Sequence, residues 1–215
     1  MHVGLALAQA EIAIRSEIEE ARRCLWGTKA LMDGVALECQ RQLEHDDFIG
    51  DVEGVDEVIH DFAHAFPRSF MTGWVAGTYG VFEQGCRMTM EMAQARWTGA
   101  PRVPQKSHMH NVAEWLTGFG AAIGDVEWAA MDNHRLLRNQ IVHQGREVEL
   151  GRGGRLIAWI GGTPHVRIVD NNGNDVRAGE GGRIVVERSY ADMLCDDCLA
   201  FFSSFKNVIC NAVQE

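Results

Sequence analysis

The sequence predicts a mainly α-helical fold with a small antiparallel β meander inserted before the last helix. Apolar residues recur at three- and four-residue steps through most of the first 143 positions, which is the period of amphipathic helices. Short runs rich in Ile and Val follow, separated by glycine and asparagine turns. Helical periodicity then returns at the end of the chain. We expect a bundle of four to six helices that forms a single domain, 1–215, with the β insertion at 150–188.

The N-terminal half predicts three helices. The first runs from Leu5 to about Leu43, with Ile14, Ile18 and Leu25 at helical steps that Leu31 and Val35 continue. A short helix over 55–66 is expected to end at Pro67, because the residue before a proline disfavours helical backbone. A longer helix is expected over 69–97.

Two further helices are expected in the middle of the chain. Ser107 can cap a helix that runs to about Phe119. The break at Gly124-Asp125 opens the next helix, from Val126 to about His143, on which Ala130, Leu137 and Ile141 fall in one core-facing sector. This helix also carries the candidate functional residues.

The remaining segments predict strands and a closing helix. The runs 156–160, 165–169 and 183–187 are β-like and are separated by turn sequences. Ser189 can cap the last helix, whose apolar residues lie on one broad face. Its expected buried residues are Leu194, Cys195, Cys198, Phe201, Phe202, Phe205 and Ile209.

Composition narrows the classes of function. The chain has 46% hydrophobic and 23% charged residues, which is ordinary for a globular domain. Its formal net charge of −10 argues against broad, non-specific attraction to DNA or RNA, although a local basic site is compatible with it. No apolar run is long enough to span a membrane, no secretory signal is evident, and a core of this size needs no disulfides. We therefore expect a cytoplasmic protein with reduced thiols.

The helix 126–143 and the residues just after it concentrate polar chemistry on one face. A helical wheel drawn at about 100° per residue places guanidinium, amide and imidazole groups in one sector. The members of this sector are Asp132, Arg135, Arg138, Asn139, His143 and Arg146.

These side chains suit the cleavage of a phosphodiester. Arginine binds phosphate through a planar fork of donors, and histidine transfers protons near neutral pH. The 2′-hydroxyl of RNA could attack the phosphorus while Arg138 stabilises the developing charge. Asn139 could hold a phosphate oxygen or orient the imidazole of His143, and Arg135 and Arg146 could bind the substrate.

The segment Arg138-Asn139-x-x-x-His143, near the end of a helix in a mainly helical chain, resembles the signature of the HEPN superfamily. That family combines an Arg, four to six intervening residues and a His, and the residue after the Arg is often Asn. The resemblance implies a helical bundle and a metal-independent RNase of the toxin–antitoxin or phage-defence type, which needs no cofactor. It also implies that Arg138 and His143 are the catalytic pair, Asn139 an accessory, and that a homodimer faces its two motifs across one cleft.

The sequence departs from the family pattern at one position. Some family toxins carry a Tyr two residues after the His, where a partner silences them by nucleotidyl transfer, but this chain has Gly145. That route of control is therefore in doubt, although an antitoxin partner of another kind remains an expectation. The alternative function is a non-catalytic member of the fold that binds a nucleotide or a protein.

Three other motifs compete for a function. His60 and His64 are four residues apart on a helix, the spacing of paired zinc ligands, but no third ligand is evident. Cys195 and Cys198 form a lone C-x-x-C on an apolar face and are read as core residues. The segment 151–155 resembles a phosphate-binding loop, but it precedes a predicted strand and is read as the entry to a hairpin.

Overall fold

The computed structural model describes residues 3–44, 52–105, 108–143, 147–148, 154–170, 173–176 and 181–214. Within these residues the protein is mainly helical, with a small antiparallel sheet before the last helix, as the sequence predicted. A π-helical turn, Asp61–Ala65, joins the second helix to the third, so six separate helical rods are present in the described part of the chain. The elements are α1 (Val3–Leu43), α2 (Val52–His60), α3 (Phe66–Arg96), α4 (Met109–Gly118), α5 (Asp125–His143), β1 (Glu147–Val148), α6 (Gly154–Gly161), β2 (Val166–Val169), β3 (Gly182–Val186) and α7 (Arg188–Gln214).

One apolar core joins these elements. The helix α1 packs along α3 and α7, and α5 packs against α3 and α7 in turn. The closing helix α7 buries the face that the sequence predicted, and all seven residues expected there are at most 3% exposed. None of the described helices combines the length and the apolar character needed to cross a lipid bilayer.

The apolar pattern of α1 is buried only in its first part. Ile14, Ile18 and Leu25 are at most 3% exposed, whereas Leu31 and Val35 are 74% and 38% exposed. The helical period therefore continues beyond the buried part of α1, and Leu31 and Val35 stay exposed although α2 and the turn Asp61–Ala65 contact this helix.

The helix break predicted at Pro67 is wrong. Pro67 lies in the first turn of α3, and the chain is helical without interruption from 52 to 96. The preceding π-helical turn explains this, because Phe66 donates its backbone N–H to Asp61 O, five residues earlier. The wider turn makes room for a proline, which lacks an N–H and would clash with the carbonyl four residues before it.

The sheet has three antiparallel strands in the order β1-β3-β2. The strands predicted at 165–169 and 183–187 correspond to β2 and β3, which pair with Ile168 opposite Ile184. Gly182 starts β3 where a Cβ would lie 2.8 Å from both Ile168 and the carbonyl of Val169, so only glycine fits there.

The strand predicted at 156–160 is wrong, because this segment is the helix α6. Leu156, Ile157 and Ile160 are buried, and their spacing of one, three and four residues places them on one helical face. A short run of apolar β-branched residues fits a buried strand or a buried helix turn equally well. The error matters for function, because α6 brings Arg155 to the candidate site.

Candidate active site

The helix α5 positions the candidate site because it has one buried face and one open face. The buried face carries Met131, His134, Leu137 and Ile141, all at most 5% exposed. The predicted core positions Leu137 and Ile141 are therefore confirmed, whereas Ala130 is only half-buried. The opposite face of α5 borders a cleft.

The cleft has a volume of about 740 Å³ and is lined by α5 together with residues from α3, α4 and α6. Its lining is rich in titratable groups and contains three arginines, three carboxylates and three imidazoles among the described residues. They are Arg135, Arg138, Arg155, Glu83, Asp125, Asp132, His108, His110 and His143.

The three predicted catalytic residues meet in this cleft. Arg138 Nη1 donates a hydrogen bond to Asn139 Oδ1 at 2.9 Å, and the same nitrogen lies 3.4 Å from His143 Nε2. Since a guanidinium can only donate, the imidazole accepts at Nε2 and carries its proton on Nδ1 in this arrangement. His143 is exposed at the end of α5, while Arg138 and Asn139 are half-buried.

Arg138 differs from the other two arginines of the cleft in its pairing. It makes no ion pair with a carboxylate in the described part of the chain, and its Nε is buried without a hydrogen-bond partner there. A buried donor without a partner costs roughly 1–3 kcal/mol. An anion that entered the cleft would find a guanidinium that has an unpaired donor and no carboxylate partner among the described residues.

The other cations of the cleft are paired. Asp132 accepts from Arg135 Nε at 2.7 Å with one oxygen and lies 2.5 Å from Arg155 Nη1 with the other. Arg135, predicted to bind substrate, therefore lines the cleft but already has a carboxylate partner. Arg155 was not expected in this cleft, because the segment 151–155 was interpreted as the entry to a hairpin; this was wrong, since Gly154 and Arg155 begin the helix α6. Arg146, the other predicted substrate-binding residue, lies outside the described residues.

A second histidine of α5, His134, was also missed, and it lies on the buried face. Its Nε2 lies 2.8 Å from Asp197 Oδ2 and its Nδ1 lies 2.8 Å from Tyr190 Oη. The carboxylate can only accept, so Nε2 donates to it, which leaves Nδ1 for the hydrogen bond with the Tyr190 hydroxyl. Burial holds the pKa of Tyr190 well above its usual value, so its hydroxyl stays protonated. This network ties α5 to α7.

The histidine pair and the C-x-x-C motif gain no support from the described residues. The rings of His60 and His64 lie 5.4 Å apart, but no group of three metal-ligating side chains occurs among the described residues. Cys195 and Cys198 are fully buried and unpaired in the core, and burial raises the pKa of both thiols. Reactive thiolates need the opposite environment.

No protein family, curated protein or solved structure matches the chain. The function is therefore inferred from the cleft itself and from the motif within it.

Proposed function

We propose that this protein is a metal-independent endoribonuclease of the HEPN type, which cleaves RNA at the Arg138–His143 end of the cleft. One observation carries the proposal: a guanidinium that has no carboxylate partner among the described residues lies 3.4 Å from the unprotonated imidazole nitrogen of His143, at the surface of a large cleft. The first group is suited to a phosphate and the second to a hydroxyl proton.

The reaction needs only these groups and the ribose. His143 Nε2 accepts the 2′-hydroxyl proton, and the oxygen attacks the phosphorus as the bond to the 5′-oxygen breaks. Arg138 donates to the phosphate oxygens, whose negative charge increases in the transition state. The departing 5′-oxygen takes up a proton, and the products are a 2′,3′-cyclic phosphate and a 5′-hydroxyl.

Asn139 has a positioning role in this proposal. Its Oδ1 accepts from Arg138 Nη1, which limits the rotation of the guanidinium and keeps it on the His143 side of the cleft. In a homodimer that brings two copies of the motif together, the second His143 would protonate the leaving oxygen. A cytoplasmic protein of this kind would need an inhibitory partner, such as an antitoxin, to protect the RNA of its own cell.

The test is an incubation of purified protein with total RNA in excess EDTA. We expect cleavage by the wild type and loss of cleavage by Arg138→Ala and by His143→Ala. Equal cleavage by the wild type and both variants would assign the activity to a contaminant or to another site.

The alternative is a non-catalytic protein that binds a nucleotide in the same cleft. The balance of the described lining favours it, because its three carboxylates match its three arginines and leave no excess positive charge among these residues for a long nucleic acid. Isothermal titration with a mononucleotide separates the two: tight binding that His143→Ala leaves unchanged, without RNA turnover, supports the alternative.

A further inference from the structure

A pocket separate from the cleft lies where α1, the start of α3 and the end of β3 meet. It has a volume of about 200 Å³, and none of its described lining residues also lines the cleft. Small-molecule sites in proteins usually have apolar walls and a few polar groups that fix the ligand. The apolar lining residues of this pocket are Leu25, Trp26, Met32, Pro67, Phe70, Met71, Val185 and Val186.

The exposed residues of this pocket are cationic. Arg68 and Arg188 are the two exposed members of its described lining, whereas every apolar member is buried or half-buried. The pocket therefore has an apolar interior and arginines at its opening. A ligand that fits both parts has an apolar body and an anionic head.

Charge complementarity also favours an anion. The charged residues of the described lining are three cations and one carboxylate, namely Lys29, Arg68, Arg188 and Glu187. The carboxylate of Glu187 is compensated, because Arg167 Nε donates to its Oε1 at 2.8 Å, and Lys29 forms an ion pair with Asp33. The lining thus carries more positive than negative charge in a chain whose formal net charge is −10. Such a local excess attracts anions.

Trp26 holds the guanidinium of Arg188 in place. The Cζ atom of Arg188 lies 3.4 Å from the centroid of the indole ring. A cation over an aromatic face is attracted by the ring, and the N–H groups of a guanidinium remain able to donate to a carboxylate in this arrangement. Arg188 forms no ion pair with a carboxylate among the described residues, whereas Arg167 nearby forms two. A carboxylate can therefore accept two parallel hydrogen bonds from this side chain.

We propose that this pocket binds a medium-chain carboxylic acid, with the carboxylate on Arg188 and the alkyl chain against the apolar walls. The volume sets the length of the chain. A cavity of about 150 Å³ holds benzene, with its six carbons, so about 200 Å³ holds a body of about eight carbons. We name this site the acid pocket. The inference does not depend on the nuclease activity proposed for the cleft.

The first experiment varies the apolar body of the ligand. Purified full-length protein is titrated calorimetrically with butanoate, hexanoate, octanoate and decanoate. Each added methylene that is buried should raise the affinity about fourfold. The affinity should therefore rise as far as octanoate, which should saturate one site per chain, and should gain little with decanoate. An octanoate titration without saturable binding would overturn the inference.

The second experiment varies the charge on both sides of the contact. 1-Octanol has the chain of octanoate without its charge and should bind at least about tenfold more weakly. Arg188→Gln keeps most of the side-chain size and should weaken octanoate about tenfold, while the affinity for 1-octanol stays unchanged. Arg96→Gln, at an exposed arginine of α3 outside both sites, is the matched control. Equal affinities for the acid and the alcohol would overturn the assignment of Arg188.

The third experiment locates the ligand. Met32→Trp enlarges one wall of the acid pocket and should abolish octanoate binding, with a thermal midpoint that shows the variant is folded. In the wild type, octanoate should shift the NMR signal of the Trp26 indole N–H, a readout that needs no variant. Arg138→Ala should leave binding unchanged. Binding that Arg138→Ala removes and Arg188→Gln does not would place the acid in the cleft and overturn the inference.

A second copy of the chain is the other occupant to test. Sedimentation velocity of the wild type and of Met32→Trp reports whether the acid pocket joins two copies. We expect the two proteins to have the same oligomeric state. Association that Met32→Trp disrupts and octanoate does not would make the pocket a protein interface and overturn the inference.

Discussion

The helix α5 carries two histidines nine residues apart, and they lie in opposite environments. His134 is 1% exposed, and both of its ring nitrogens have partners on α7. His143 is exposed, and one nitrogen lies near a guanidinium that has no carboxylate partner in the described residues. Both ring nitrogens of His134 are already hydrogen-bonded, so this ring cannot bind a substrate, whereas His143 can exchange a proton with one.

The comparison shows that the two faces of one helix can have different roles, with the buried face stabilising the fold and the open face presenting reactive groups. The Tyr190–His134–Asp197 network fixes α5 against α7, and the same helix then presents Arg138 to the cleft in a defined rotation. Residues on the buried face should therefore change the free energy of unfolding, and residues on the open face should change activity. The predictions below test this division, from the largest expected effect to the smallest.

Replacement of His143 by Ala should have the largest effect on activity. Loss of a positioned proton-transfer group reduces rates by about 10²–10⁴-fold. The thermal midpoint should not move, because the exposed ring contributes little packing. Single-turnover cleavage of a labelled RNA measures the rate, and His64→Ala, at an exposed histidine outside the cleft, is the matched control.

Replacement of Arg138 by Ala should reduce the cleavage rate by about 10²–10³-fold, since it removes the donor that stabilises the phosphate charge. Arg138→Lys keeps the charge but not the planar fork and should recover only part of the rate. Full activity in the Lys variant would mean that charge alone is needed there. Unchanged activity in the Ala variant would exclude Arg138 from the reaction.

Replacement of His134 by Ala should lower the free energy of unfolding by about 2–4 kcal/mol, because it leaves the buried Tyr190 hydroxyl without its partner and opens a cavity. Urea denaturation measures it. Tyr190→Phe, which removes one hydrogen bond and little volume, should cost about 1 kcal/mol. If His134→Ala were as stable as the wild type, the network would have no structural role.

Replacement of Asp132 by Asn should give the smallest effect, an increase in RNA affinity of about three- to tenfold, because it releases Arg135 and Arg155 for phosphate. The dependence of binding on salt should become steeper for the same reason. Asp196→Asn, which breaks an ion pair with Arg22 away from the cleft, is the control. Weaker binding by Asp132→Asn would mean that the carboxylate orients the arginines for substrate.

The part of the site that could be predicted from the sequence lies on a single helix, α5. Arg138, Asn139 and His143 lie within six residues, so their convergence follows from the geometry of a single helix. The same reasoning did not predict the buried position of His134, because a helical wheel assigns polar residues such as histidine to the solvent-exposed face. Its partners lie 56 and 63 residues away on α7, and no local pattern reports them.

The unpredicted part of the cleft comes from other elements. Arg155 reaches Asp132 only because the segment after it is helical, and its Ile- and Leu-rich run has no feature that excludes a strand. Glu83 and His108 meet across 25 residues of chain. The fold class was predictable because the apolar periodicity of α1, α3, α5 and α7 extends over long segments, whereas the meeting of distant side chains depends on packing.

The chemical identity of the new RNA ends tests the central claim most directly. The products of an EDTA-treated reaction can be analysed by mass spectrometry beside those of the His143→Ala variant. A 2′,3′-cyclic phosphate and a 5′-hydroxyl from the wild type, absent with the variant, is the result we expect. Ends that carry a 3′-hydroxyl and a 5′-phosphate, or cyclic phosphates formed equally by the variant, would contradict it.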